Sequence, residues 1–223
     1  AVLAIYYMVA IHFSWWTLGL GLTWSTLCGL SISGGYHRLF SHSAYVAAWP
    51  LRAFYLAFGA ASVQNSALAW SDDHRTHHAH TDSENDPYSI SRGFWWAHIG
   101  WVICKGDRSW RESNVRDLEA DPLVRFQDKH YVVLAAIFGV GIPTLIGLAW
   151  GDPLGAFLVA GWLRLCFQWH VTFSINSFAH MIGRQPYGKL GSARDSFIVA
   201  MLTMGEGYHN FHHRFQTDYR NGV

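Results

Sequence analysis

HRTHH at 74–78 and HNFHH at 209–213 are the stretches that decide how this chain folds and what it binds. Each holds three histidines at positions i, i+3 and i+4, and on an α-helix these positions share one face. Imidazole nitrogen is a good ligand for iron, copper and zinc. Each box therefore predicts a helix whose three rings converge on a small volume and bind metal there.

Two further elements extend the pattern, HRLFSH at 37–42 and NSFAH at 176–180. Asn176 and His180 share a helical face, whereas the five residues between the histidines of HRLFSH rotate a straight helix by about 140°. We therefore expect HRLFSH at a helix end that loosens where the chain leaves a membrane. Nine imidazoles are too many for one ion and about right for two. The nine are His37, His42, His74, His77, His78, His180, His209, His212 and His213.

The composition is that of a membrane protein. Of 223 residues, 51% are hydrophobic and 16% aromatic, but only 14% are charged, against about 25% in a typical soluble domain. Twelve tryptophans and ten tyrosines suit the aromatic belts of a membrane interface. The net charge of +1 and the lack of a basic stripe exclude nucleic acid as a partner. Three scattered cysteines do not form a disulfide framework.

Charge-free stretches divide the chain into four segments. Residues 1–36 predict a first hairpin with a partial first span, and 131–178 predict a second hairpin that turns at GDP, 151–153. Arg164 should snorkel or face a polar cavity. Residues 37–130 predict a cytosolic region with the first two boxes, and 179–223 a cytosolic tail with the third.

This topology puts all the histidine boxes at one membrane surface. We expect one domain, 1–223, trimmed at both ends. The predicted fold class is an all-α integral membrane protein with transmembrane helical hairpins and a cytosolic helical cap that carries the histidine site.

The ligand set favours iron over the other metals. Zinc enzymes usually present three protein ligands and a water, and copper sites more often include Cys or Met. Carboxylate-bridged di-iron bundles use Glu-x-x-His pairs, and the apolar helices hold none. Two irons caged by neutral nitrogen suit oxygen chemistry on an unactivated C–H bond.

The boxes HRLFSH, HRTHH and HNFHH, together with NSFAH and GEGYHNFHH, resemble those of the membrane fatty acid desaturases, and of the Δ9 stearoyl-CoA type most. The resemblance covers nearly the whole chain. It implies a four-helix membrane protein that removes two hydrogens from a saturated acyl chain, using O2 and two electrons. It also implies that all nine histidines bind two iron ions, with Asn176 holding a water on one iron. Which histidine binds which iron stays open.

The resemblance further implies a bent apolar tunnel for the acyl chain. Its bend is lined by Gln64, Trp70 and Thr172, and its floor lies near Ser25 and Gly29. Because Ser25 and Gly29 are small, we expect the tunnel to accept at least an eighteen-carbon chain. Each buried CH2 contributes about 0.8 kcal/mol, so tunnel depth can select chain length.

The resemblance does not fix the head group that carries the acyl chain. Asp72 stands where the animal acyl-CoA enzymes have a basic residue, Asp73 follows it, and Lys105 is expected to contact the head group. Acyl-CoA, acyl-lipid and acyl-carrier-protein substrates all stay open. Glu206 and Asn210 are expected to orient histidines, whereas Arg38, Arg75 and Arg214 either pair with acidic groups, present a docking face or are plain surface charge.

The electron donor is separate, because no cytochrome b5 motif is visible; ferredoxin, rubredoxin and a separate cytochrome b5 are the candidates. We expect an active site on the cytosolic side of a lipid membrane, a bacterial inner membrane rather than the endoplasmic reticulum. Two other functions stay open. A membrane di-iron hydroxylase of alkyl, sterol or carotenoid substrates shares such boxes, and a non-enzymatic membrane metal carrier would spread its ligands along a path through the membrane.

Overall fold

The computed structural model describes residues 1–104, 113–189 and 191–220, and this part of the chain is helical. No strand occurs in those ranges; isolated antiparallel bridges pair Asp195 with Arg184 and with Tyr208. The predicted all-α class is confirmed. The α-helices are α1 (Val2–Tyr6), α2 (Trp15–Leu30), α3 (Trp49–Ala61), α4 (Ala67–His80), α5 (Trp101–Ile103), α6 (Arg116–Glu119), α7 (Pro122–Lys129), α8 (Tyr131–Ala136), α9 (Ile142–Gly147), α10 (Pro153–Ala156), α11 (Arg164–Ser177), α12 (Phe197–Leu202) and α13 (His209–Arg214).

Wider π-helical turns and short 3-10 turns continue or connect these helices. The π-helical segments are Tyr7–Ile11, Ser31–Ser41, Trp96–Gly100, Ile137–Gly141 and Phe157–Leu163, and the 3-10 turns are Ile90–Arg92, Leu148–Trp150 and Phe178–His180. Ser31–Ser41 matters most, because it carries the first histidine box directly on from α2.

The chain divides into two compact units. Unit 1 comprises Ala1–Tyr36, Ala47–Ala67 and Asp121–Trp169, and unit 2 comprises His37–Val46, Leu68–Ala120 and His170–Val223. This division by compactness differs from the four segments predicted from charge, because 47–67 and 121–130 group with the apolar hairpin segments. The four segments themselves remain a prediction.

One helix in the described ranges, Tyr131–Trp150, is long and apolar enough to cross a membrane, and Val2–Ile11 is a shorter apolar helix. Two complete hairpins are therefore not established by helix length and composition, and the four-span topology stays a prediction. Many large apolar side chains of unit 1 are nevertheless exposed, among them Trp15, Trp16, Val132 and Leu145.

Unit 1 contains a buried arginine that ties three helical segments together. Arg164, 3% exposed, donates to the carbonyls of Ala61, Gly139 and Ala160 at 2.8, 2.8 and 2.9 Å. The expectation that it snorkels or faces a polar cavity is wrong. Backbone carbonyls within the packed helices supply the acceptors that water would otherwise provide.

A second polar cluster in unit 1 lies at the GDP turn. The carboxylate of Asp152 accepts from Tyr7 Oη at 2.6 Å, from Thr17 Oγ1 at 2.5 Å and from the Gly155 amide at 2.9 Å. The first two residues come from the α1–α2 region and the third lies in α10. One buried carboxylate thus joins the two apolar hairpin segments and also caps a helix.

Close helix packing in unit 1 depends on glycine. A Cβ atom at Gly59 would lie 2.2 Å from the ring of Tyr36, and one at Gly35 would lie 2.6 Å from Tyr55 Cβ. Both distances are far inside van der Waals contact, so α3 approaches the segment that follows α2 only because these side chains are absent.

Unit 2 is held by loops and short helices around its histidines. Asp195 Oδ1 accepts from the amides of Asn210 and Phe211 at 2.8 and 3.0 Å and so caps α13. Arg75 on α4 forms two hydrogen bonds to Asp117, at 2.7 and 2.8 Å. It also donates to the Ser41 carbonyl at 2.8 Å, which fixes the first box against the second.

Candidate metal centre

All nine predicted ligand histidines lie in unit 2, in two groups. Within each group the candidate ligand nitrogens all lie within 4.8 Å of one another. The first group, called group A, contains His37, His42, His74, His78 and His212, and the second, group B, contains His77, His180, His209 and His213. The geometry thus divides the nine histidines into one set of five and one set of four.

Each HxxHH box contributes to both groups. His74 and His78, four residues apart, belong to group A, whereas His77 belongs to group B. Neighbouring residues on a helix point about 100° apart, so the middle ring of a box diverges from the flanking pair. The prediction that each box converges on a single volume is therefore wrong in detail. One helix instead supplies ligands to two adjacent sites.

The first box reaches group A through a π-helical segment. The amide of His42 donates to the carbonyl of His37 at 3.1 Å, an i to i+5 hydrogen bond. A π-turn closes one turn between residues i and i+5, so both side chains leave the helix on a similar side. The two ring centroids consequently lie 4.9 Å apart. The helix end does not loosen as predicted; it widens.

The nitrogens face one another in an arrangement that suits a cation. His74 Nε2 lies 2.8 Å from His42 Nε2 and 3.1 Å from His78 Nε2. In group B, His209 Nε2 lies 3.1 Å from the Nε2 atoms of both His180 and His213. A neutral imidazole carries one proton, and where Nδ1 holds it the Nε2 atom keeps a lone pair; such lone pairs point towards one another in each group. Two nitrogens bound side by side to one metal at about 2.1 Å would lie about 3 Å apart.

Burial keeps seven of these rings neutral. Loss of water lowers the pKa of His42 to about 2, and neighbouring His37 adds to the effect. Burial, followed by repulsion from other histidines, likewise lowers the pKa of His74, His78, His180, His209, His212 and His213. A neutral imidazole keeps the lone pair that a metal requires.

Carboxylates orient one ring in each group directly. Glu206 accepts from His37 Nδ1 at 2.9 Å and from Arg38 at 2.9 Å. Asp86, 1% exposed, accepts from His77 Nδ1 at 2.9 Å. A proton held on Nδ1 leaves Nε2 free to bind metal, which is the usual arrangement at histidine-metal sites.

Glu206 and Asn210 were both expected from the sequence to orient histidines. Asn210 binds the Gly188 carbonyl at 2.9 Å and the Tyr187 amide at 2.9 Å, so it fixes a loop and not a ring. Two supports were not expected: Asp86, and Tyr88, whose hydroxyl lies 3.2 Å from His74 Nδ1. The acidic run DSEND shortly after the second box was the available signal.

The two arginines nearest the boxes are engaged within the protein. Arg75 pairs with Asp117 and binds backbone carbonyls, and Arg38 pairs with Glu206. Of the alternatives for these two residues, pairing with acidic groups is the one that the structure shows. Arg214 is exposed at the end of α13.

The predicted tunnel residues fall into both units. Trp70 lies in unit 2, where its ring stacks on His74 at 5.0 Å, and Thr172 is half-buried on α11 of the same unit. Gln64, Ser25 and Gly29 belong to unit 1 and are half-buried.

The two other predicted site residues are Asn176 and Lys105. Asn176 is half-buried on α11, four residues before His180. Lys105 lies outside the described residues.

The donor set fits metal ions. Group A offers five imidazoles, one more than the four ligands of a tetrahedral zinc site. Group B offers four, and Asn176 stands near it in the chain. Imidazole suits iron as well as zinc, copper and nickel, so two adjacent nitrogen-rich metal sites are what this arrangement can hold.

The chain is similar to known proteins over nearly all its length. The family model described as fatty acid desaturase matches residues 13–219. A probable acyl-CoA desaturase of Schizosaccharomyces pombe is 47% identical over 209 residues, 93% of this chain and 44% of that protein. An acyl-CoA Delta12-desaturase of Acheta domesticus is 41% identical over 197 residues, 86% of this chain and 55% of its own length. A Delta(9)-fatty-acid desaturase of Caenorhabditis elegans, fat-7, is 37% identical over 220 residues, which are 96% of this chain and 65% of that protein.

This chain therefore spans only about half to two thirds of the length of these relatives. The match of the family model and the identities over most of the chain agree with the histidine geometry of unit 2. The chain belongs to the fatty acid desaturase family.

Proposed function

We propose that this protein introduces a cis double bond, at the Δ9 position, into a saturated long-chain acyl substrate, using O2 and two electrons at a di-iron centre. The observation that carries the proposal is the convergence of nine imidazoles into groups A and B in a chain of the fatty acid desaturase family.

Each group is proposed to hold one iron. Group A binds through its five Nε2 atoms, and group B through four, with Asn176 adding a ligand by way of a water. Iron in an all-nitrogen cage supplies the O2 chemistry that an unactivated C–H bond requires. The protein's own contribution is to keep seven of the rings neutral by burial, to fix the tautomers of His37 and His77 through Glu206 and Asp86, and to bury the site away from bulk water.

Acyl-CoA is the proposed form of the substrate, ahead of acyl-lipid and acyl-carrier protein. The names of two of the relatives specify acyl-CoA. Lys105 is proposed to contact the anionic head group. The acidic pair Asp72 and Asp73 would repel that group, but Asp73 is buried and directly precedes His74, so we propose that its carboxylate supports ligand imidazoles instead.

The position of the double bond is proposed to depend on the acyl tunnel. Relatives named for Δ9 and for Δ12 are about equally similar to this chain, so similarity alone does not fix the carbon pair. We propose a bend at Gln64, Trp70 and Thr172 and a floor at Ser25 and Gly29.

The electron donor is proposed to be a separate protein, with cytochrome b5, ferredoxin and rubredoxin as the classes to test. The relatives come from a yeast, an insect and a nematode, so the expected bacterial inner membrane finds no support. We propose instead a eukaryotic membrane with the active site facing the cytosol.

The proposal is tested by expressing the full-length gene in cells that lack their own Δ9 desaturase and analysing fatty acids by gas chromatography–mass spectrometry. A new Δ9 monounsaturated chain is expected, and it should vanish with His77→Ala but persist with His12→Ala, an exposed histidine in unit 1. A hydroxylated chain would instead identify a hydroxylase. Unchanged fatty acids with stable, iron-loaded protein would contradict the proposal.

A further inference from the structure

Group B contains one ligand whose support is indirect. His180 Nδ1 lies 2.7 Å from Ser192 Oγ. Ser192 Oγ donates to Asp82 Oδ1 at 2.6 Å, and the Ser192 amide donates to Asp82 Oδ2 at 2.6 Å. A carboxylate thus reaches His180 through a serine, where Asp86 reaches His77 without an intermediary.

The direction of these hydrogen bonds fixes the tautomer of His180. An ionised carboxylate only accepts, and a serine hydroxyl has one proton to donate. Because Ser192 gives that proton to Asp82, its oxygen is left to accept from His180 Nδ1–H. The ring proton then stays on Nδ1, and the Nε2 lone pair points into group B.

The local backbone is built for this contact. Gly191 has φ of +89°, and a Cβ there would lie 3.1 Å from Asp82 Oδ2. Asp82 itself has φ of 66°, a left-handed conformation that few non-glycine residues adopt. Its amide is held by Asp86 Oδ2 at 3.0 Å. The loop that supports His77 through Asp86 is therefore the same loop that presents Asp82.

We propose that Asp82 and Ser192 are positioning residues of the group B metal site, which select the Nδ1–H tautomer of His180 through a directional hydrogen-bond relay. The proposal rests on the proposed function, because it gives His180 the role of a metal ligand.

The relay predicts an unusual effect of Asp82→Asn. The Ser192 amide cannot reverse its direction, so the substituted side chain must turn its oxygen towards that N–H and its NH2 towards Ser192 Oγ. The hydroxyl then accepts from this NH2 group and donates its own proton to His180 Nδ1. This arrangement moves the ring proton to Nε2 and blocks the metal-binding lone pair.

Ser192→Ala should be milder, because it removes the relay without enforcing the wrong tautomer. The double variant Asp82→Asn/Ser192→Ala also removes the hydroxyl that would donate its proton to His180 Nδ1. It should therefore bind metal as Ser192→Ala does and better than Asp82→Asn alone, an order of effects that a purely structural role of Asp82 would not produce.

The test measures iron per polypeptide and the rate of iron loss to a chelator on full-length protein purified with bound iron. Two irons are expected for the wild type, about one for Asp82→Asn, and faster loss of one iron, by about 10- to 100-fold, for Ser192→Ala. Ser91→Ala is the matched control, because it removes another hydrogen bond of the same loop, to the Asp82 carbonyl, and should keep both irons.

The outcomes separate the two proposals. Wild-type protein without iron would overturn the proposed function and the relay together. Two irons in both the wild type and Asp82→Asn would overturn the relay alone, as would a double variant no better than Asp82→Asn. If the Asp82→Asn protein does not accumulate in cells, the Ser192→Ala variant is the deciding test. A rate of iron loss from Ser192→Ala equal to that from Ser91→Ala would overturn the relay.

Discussion

At the scale of single residues, the metal centre depends on where each imidazole proton is held. Glu206 and Asp86 accept from Nδ1 of one ring in each group, and Tyr88 contacts a third ring. The histidines were visible in the sequence because their spacing is short. Their acceptors also lie close to the boxes in the sequence, Glu206 before the third box and Asp86 after the second, but only the fold reveals which ring each carboxylate reaches.

Glu206→Gln should weaken metal binding in group A. The NH2 end of the substituted amide would face either His37 Nδ1–H or Arg38, and two donors cannot satisfy each other in a buried site. We expect a loss of about 10- to 100-fold in metal affinity, measured by competition with a chelator. Glu84→Gln, an exposed change near the second box, should leave affinity unaltered; equal losses in both variants would contradict this role.

The buried histidines make the metal-free protein sensitive to acid. Burial lowers the pKa of His42 from 6.5 to about 2. Below pH 6.5 the unfolded chain therefore binds a proton at this ring, whereas the folded state does not. Stability should accordingly fall as pH decreases from 6.5, by up to about 1.4 kcal/mol per pH unit for each such ring. Thermal melting of metal-free protein between pH 8 and 5 measures this; a melting temperature that is constant or rises towards pH 5 would refute it.

At the scale of elements, the sequence predicted which residues are helical better than how the helices are wound. The i, i+3, i+4 spacing correctly put HRTHH and HNFHH on helices α4 and α13. The spacing of HRLFSH suggested a loosened end because an α-helical repeat was assumed. The structure continues as a π-helical segment, for which single-sequence periodicity gives no distinct signal.

Arg164 should be essential for the packing of unit 1. Arg164→Met keeps most of the side-chain volume but leaves the carbonyls of Ala61 and Gly139 without this donor. Each buried acceptor left unsatisfied costs about 1–3 kcal/mol, so the melting temperature in detergent should fall strongly. Iron per folded polypeptide should not change. Arg125→Met, at an exposed position of unit 1, should melt like the wild type. Similar melting of both variants would contradict a stabilising role for the Arg164 hydrogen bonds.

At the scale of the whole molecule, composition and the histidine boxes predicted an all-helical protein and its family. They did not predict the two compact units, because α3 and α7 look polar or interfacial in sequence yet group with the apolar hairpin segments. Helix length confirms one spanning candidate. Side-chain contacts such as those of Asp152 with Tyr7 and Thr17 have no signature in a single sequence. The hydrogen bonds that connect the two hairpin segments could therefore not be predicted.

The predicted topology puts the second and third boxes on one side of the membrane. Cysteines placed one at a time at Ser83 and Gln216, with the exposed Cys104 and the half-buried Cys166 replaced by Ser, should react with a membrane-impermeant thiol reagent from the cytosolic side. A cysteine at His12, just after the first π-helical segment, should react from the opposite side. Labelling of Ser83→Cys and Gln216→Cys from different sides would refute the shared surface.

The pairing of ligands into groups A and B is the claim on which the account depends. X-ray diffraction from crystals of the iron-loaded full-length protein, recorded on both sides of the iron absorption edge, tests it directly. We predict two anomalous peaks, one among the five nitrogens that include His42 and one among the four that include His180, each about 2.1 Å from its ligands. A single peak, no peak, or peaks away from these histidines would contradict it.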